Sequence, residues 1–144
     1  MRKSVLGLTL LAFVILLVGA ACKSKTQRDA KPAGEVVKTT KVESLTATVL
    51  TSSGQIKQGD QELTLAFNDV SGKTVDVGAV SLNFYMPAMG NMAAMNDAVT
   101  FTTTGTPGVY HGRLNLAMAG EWQGQLAYEG PAGKGKTTFS VTAR

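Results

Sequence analysis

Four methionines recur at intervals of three in the segment MPAMGNMAAM: Met86, Met89, Met92 and Met95. Only Met1 and Met118 lie elsewhere in the 144-residue chain. Thioether sulfur is soft, uncharged and polarizable, so it selects Cu(I) over hard ions such as Mg²⁺ or Ca²⁺. It carries no proton to compete with a metal, and a thioether site keeps binding in acid where His and Cys sites weaken. Three or four such sulfurs satisfy the low coordination number of Cu(I). Methionine is also a gap-filler in cores and at adaptable surfaces. Met86 is in phase with Val80, Leu82 and Phe84, and Met118 with Leu114 and Leu116, so both roles stand open for these two.

The surroundings of the segment add few donors. His111 is the only histidine, and its phase puts it opposite the Tyr110 and Leu114 set, where it supplies at most one nitrogen ligand. Asp97 and Asn91 offer oxygen, for which Cu(I) has little use. Tyr85 and Trp122 are large enough to shield a soft-metal site and equally suited to packing. On a helix, four positions spaced by three drift by about 60° per step, so one helical face does not gather all four sulfurs. Pro87 ends the strand before them, and Gly90 relaxes the loop. A mixed loop and turn that folds the sulfurs inward is the expected arrangement.

Catalysis has little support. The lone histidine has no serine and carboxylate partners that spacing identifies. GPAGKGK (130–136) lacks the spacing and the strand-to-helix setting of a phosphate loop and reads as a hairpin turn. The chain is expected not to be an enzyme.

The elements that must hold the segment show period-two alternation. Leu45, Ala47 and Val49 share one face of a strand, as do Leu63, Leu65 and Phe67. Val80 to Met86, Val99 with Phe101, Tyr110 to Met118, Trp122 to Tyr128, and Phe139 with Val141 continue the pattern. Turn residues at 58–60 and 68–72 punctuate it. Seven short strands in about 100 residues predict an all-β, immunoglobulin-like antiparallel sandwich.

Ahead of this domain, Arg2 and Lys3 precede an uncharged apolar run from Val5 to Val18, then Gly19, Ala20, Ala21 and Cys22. This is the layout of a secretory signal peptide, with an apolar run short for a membrane span. Cys22 is the only cysteine and has no partner for an internal disulfide. Its place after the small residues resembles the lipid-accepting cysteine of a bacterial lipoprotein, although Gly19 stands where such sequences carry Leu. Ordinary secretion or a retained apolar anchor is the alternative. Residues 23–41 are polar and charged and read as a flexible basic tether, which places the domain at 42–144. From Val42 onward there are six basic and eight acidic side chains, a net charge of −2. The overall charge of +4 therefore belongs to the leader and tether. A nucleic-acid binder carries its basic face on the folded domain, so no nucleic acid is expected. A basic tether suits anionic headgroups.

FYMPAMG (84–90), GVY (108–110) and LNLAMAGEW (114–122) together resemble the YtkA-like domain, and more distantly the FixH family. The resemblance covers roughly residues 42–144. It implies a small secreted or membrane-tethered β-sandwich associated with copper handling, metal efflux or oxidase maturation. Met86 and Met89 are the positions carried over by the motif. Where a histidine often follows MetProxMetGly, this chain has Asn91, and Met92 and Met95 would replace that ligand. The expectation is an extracytoplasmic, lipid-anchored protein, in the periplasm or at the cell surface, that holds Cu(I) through Met86, Met89, Met92 and Met95, with Met118 and His111 as further candidate ligands. It would serve as a copper carrier, buffer or accessory to assembly or efflux. The alternative is a metal-free interaction module for an envelope protein partner.

Overall fold

The computed structural model describes residues 31–144. The signal-peptide reading, Cys22 and the first part of the tether lie outside them. Nine strands run in chain order through the described residues: β1 (Glu35–Val42), β2 (Leu45–Thr51), β3 (Gly59–Asn68), β4 (Ala79–Met86), β5 (Met95–Ala98), β6 (Thr100–Thr103), β7 (Val109–Leu116), β8 (Gly120–Gly130) and β9 (Gly133–Ala143). They form two antiparallel sheets, β1-β2-β3-β7-β6 and β5-β4-β8-β9, which face each other as a sandwich.

The alternation predicted from the sequence holds in β2, β3, β4, β7, β8 and β9. Ala47, Val49, Leu63, Leu65 and Phe67 point inward from the first sheet, and Leu82, Phe84, Met86, Trp122 and Leu126 from the second. Phe67 stands edge-on to Tyr110 and Tyr128, with ring centroids 6.2 and 5.5 Å apart. Such pairs add about 0.5–1.5 kcal/mol each beyond their buried area. The GPAGKGK segment is the β8–β9 hairpin, with Gly130 paired to Gly133.

Two features differ from expectation. The described residues hold nine strands, not seven, because β1 exists and because the 95–103 stretch divides into β5 in one sheet and β6 in the other. β1 occupies positions 35–42 and pairs with β2 from Glu35↔Thr51 to Val42↔Leu45. Residues 35–41 are thus part of the folded domain and not of the tether. An edge strand keeps charges such as Lys38 and Lys41 to blunt further pairing, and that composition resembles a linker.

The registers also define the two ends of the sandwich. At one end lie the start of β1, the β2–β3 connection, the β4–β5 loop, residues 117–119 and the carboxyl terminus. At the other lie the β1–β2 turn, the 69–78 connection and the β8–β9 turn.

Away from the methionines, Tyr110 ties β7 to the 69–78 connection. Its hydroxyl donates to the Gly78 carbonyl at 3.0 Å and to Asp76 Oδ1 at 3.2 Å. Burial, more than the Asp76 charge, raises its pKa above the usual 10.0. A raised folded-state value means that the folded chain holds the phenolic proton more tightly than the unfolded one. The contribution is intact below pH 10 and is lost as pH rises through the folded value. Tyr110→Phe is expected to lower unfolding free energy by about 1 kcal/mol at neutral pH. In urea titrations its stability should fall less steeply above pH 10 than that of the parent chain.

Candidate functional site

The four methionines form two cross-strand pairs of one hairpin. Met86 of β4 lies opposite Met95 of β5. Farther out, Met89 lies opposite Met92, and the two exchange both backbone bonds, Met89 N–H to Met92 O at 3.1 Å and Met92 N–H to Met89 O at 2.9 Å. The two-residue turn between them is Gly90-Asn91, with Gly90 at φ 56°. A left-handed first central residue is what a primed hairpin turn requires, and glycine adopts it without strain. Pro87 has no N–H to give and leaves residues 87–88 outside the ladder.

Side chains alternate faces along a strand. A spacing of three therefore sends the inner and outer pairs to opposite sides. Met86 is 1% exposed and lies in the core, and Met95 is half-buried against the same core. Met89 and Met92 are 52% and 43% exposed. The expected inward convergence of all four sulfurs does not occur: two face the core and two face outward at the tip. Residues in a hydrogen-bonded cross-strand pair hold their Cβ atoms about 5 Å apart on one face, which lets two thioether arms close on one ion.

Met118 belongs to the same end of the sandwich. It is half-buried against the core in the 117–119 loop, and its carbonyl accepts the Trp122 indole N–H at 3.1 Å. Trp122 is fully buried, which makes it a packing and anchoring residue. Asp97 Oδ2 accepts the Ala117 N–H at 3.1 Å and so brackets β5 to this loop across the sandwich. Tyr85 is half-buried on the outer face of the second sheet.

His111 is not brought to the methionines. It sits on β7 between Thr64 and Thr102, on the outer face of the first sheet, as its phase predicts. Its Nε2 is 3.5 Å from Glu62, which also pairs with Arg113 at 3.5 Å. Five strand positions separate it from Leu116, about 17 Å along the sheet. Among the described residues no three His, Cys, Asp or Glu side chains gather as a metal cluster. The Met89/Met92 pair at the tip presents two soft donors to the outside.

One link escaped sequence reasoning. Gly120 has φ 138°, and a Cβ there would lie 3.0 Å from the Met86 terminal methyl. The glycine of the Gly-x-Trp element therefore makes room for the first methionine of the Met-Pro-x-Met element. The two motifs are one packing unit at the start of β8 and the end of β4.

The YtkA-like family model matches residues 32–127. The chain belongs to the YtkA-like family. The match begins upstream of β1 and includes it, so the family's domain, like the folded one, starts before Val42. No curated protein and no solved structure matches the chain.

Substituting Gly120→Ala is expected to cost about 2 kcal/mol, from backbone strain and overpacking together. The cost should shrink in a Met86→Ala background, where the methyl no longer occupies the space. Chemical unfolding of the four members of that cycle measures the coupling.

Proposed function

We propose that this YtkA-like protein is a membrane-tethered, extracytoplasmic Cu(I)-binding protein. It would act as a carrier, buffer or assembly and efflux accessory, with no catalytic step of its own. The observation that carries this reading is the exposed Met89/Met92 pair, held side by side by a two-residue turn. The chain contributes three things. The turn fixes the two backbones. The thioethers supply soft, uncharged donors that do not titrate. Exposure leaves the remaining coordination open, which a carrier needs in order to hand its ion on. Met118, half-buried in the neighbouring loop, would be the source of any further sulfur, whereas Met86 and Met95 serve the core. The lipidated Cys22 would hold the domain at a membrane. The strand order also favours the immunoglobulin-like assignment: β2-β3-β7-β6 against β5-β4-β8-β9 matches the order expected of a seven-stranded Greek-key core with one added edge strand in the second sheet.

A second reading is a metal-free contact for an envelope protein, and the same exposed thioethers favour it. Leucine separates the two, because it keeps apolar volume and removes sulfur. Competition against a chromophoric Cu(I) chelator is expected to show binding at neutral pH that persists in mild acid. Met89→Leu with Met92→Leu should weaken it about 100-fold, on the order of 3 kcal/mol, while Met86→Leu leaves it unchanged. Undiminished Cu(I) affinity in the double variant would remove the copper reading. Retained partner capture by that variant would favour the contact.

A further inference from the structure

The chain enters the domain at the end of the sandwich that carries the methionine tip. Glu35 starts β1 beside Thr51, and at that same end β4 stops at Met86 and β7 stops at Leu116. Three of the four large apolar side chains exposed on the described residues lie here: Val36, Met89 and Met92. The fourth, Val70, is at the opposite end. The stretch 77–96 contains no charged residue, and residues 87–94 are all exposed. The neighbouring loop, Ala117-Met118-Ala119, is also uncharged. Charged groups at this end are Glu35, Lys57, Asp60, Glu121, Arg144 and Asp97 of β5, whose carboxylate is engaged by the Ala117 N–H; none lies on the hairpin tip or in the 117–119 loop itself.

We infer that the methionine end docks on a lipid bilayer, with the hairpin tip and the 117–119 loop at the headgroup–acyl boundary. This rests on the anchoring part of the reading above and not on copper. Two observations select a bilayer as the occupant. The first is reach. Twelve residues, 23–34, separate Cys22 from β1, and at full extension they span about 40 Å. Strands of up to 11 residues make the sandwich itself roughly 35 Å long. Because β1 starts at the methionine end, an anchor at Cys22 or at the preceding apolar run holds the domain by that end. The second is charge. Lys23, Lys25, Arg28 and Lys31 lead into the domain against a single Asp29. Basic residues next to apolar side chains bind anionic interfaces by adding headgroup attraction to apolar burial. The tip contributes methionine, alanine and proline with no acidic group to repel the surface. In this position the thioether pair lies in the plane of the membrane, so its exchange partner would be a membrane-embedded protein.

The test uses the full chain reconstituted into vesicles of phosphatidylcholine with a minority of phosphatidylglycerol, the acyl chains brominated to quench tryptophan. Ala93→Trp reports the tip and Val70→Trp the opposite end. Trp122, buried, gives the same background in both. Ala88→Trp serves if Ala93→Trp fails to fold by circular dichroism. The tip probe is expected to be quenched several-fold more than the Val70 probe, and adding Ala88→Glu to Ala93→Trp should reduce that quenching. Equal quenching at the two ends in protein that sediments with the vesicles would overturn the inference alone, and would leave a protein partner as the occupant of the tip. Failure to sediment with the vesicles would overturn the anchoring reading and this inference with it.

Discussion

The contact between the Met86 methyl and Gly120 fixes the end of the sandwich on which the site is built. Both residues sit where one sheet's inner face runs out, and each limits the other. A side chain at 120 would press on the terminal methyl of the methionine, and a shorter residue at 86 would leave a gap in the core. Interiors are packed closely enough that such a gap is felt in stability. Once Met86 is set inward, its cross-strand partner Met95 must face the same way. The pleat then sends Met89 and Met92 outward. The indole bond to the Met118 carbonyl and the Asp97 bond to the Ala117 N–H hold the neighbouring loop against the same corner. The exposure of the outer pair thus results from the burial of the inner one.

The inner faces of both sheets were legible because burial imposes a strict period of two. Leu63, Leu65 and Phe67, or Leu82, Phe84 and Met86, cannot be read in another phase without exposing all three. β1 was not legible, since an edge strand has one solvated side and a solvated face. In EVVKTTKV only Val42 is fully buried, and the rest has the composition of a linker. The division into β5 and β6 was hidden for a related reason: four-residue strands at sheet edges carry too few buried positions to show a period.

The site was half legible. The concentration of sulfur and the motif around it were plain in the sequence, and so was the outward phase of His111. The arrangement of the sulfurs was not, because a spacing of three has two meanings. On a helix it means gradual drift, and in a hairpin it means a change of face. Gly90-Asn91 was the available signal: a glycine able to take the left-handed first position of a two-residue turn, with equal apolar residues on either side. Centring the segment on that dipeptide pairs 89 with 92 and 86 with 95. The tie of Tyr110 to Asp76 and Gly78 had no comparable local signal, since its partners lie more than thirty residues away.

Separating structural from exposed methionine has a consequence for how such a site is used. A thioether in the core is locked by its neighbours and does not track an ion. A thioether on a turn is constrained only through its backbone, and its three rotatable bonds let the sulfur approach from several directions. The hairpin combines the two: the Met86/Met95 rung supplies register and rigidity, and the Met89/Met92 rung supplies adaptable donors one and a half pleats farther out. Placed at the end where the chain enters the domain, those donors would sit, under the proposed anchoring, where the protein meets its membrane. A Cu(I) ion held there would have protein on one side only, so its release would require no opening of the fold. Transfer would then be decided by whichever sulfur or nitrogen donors the membrane partner brings to the open side.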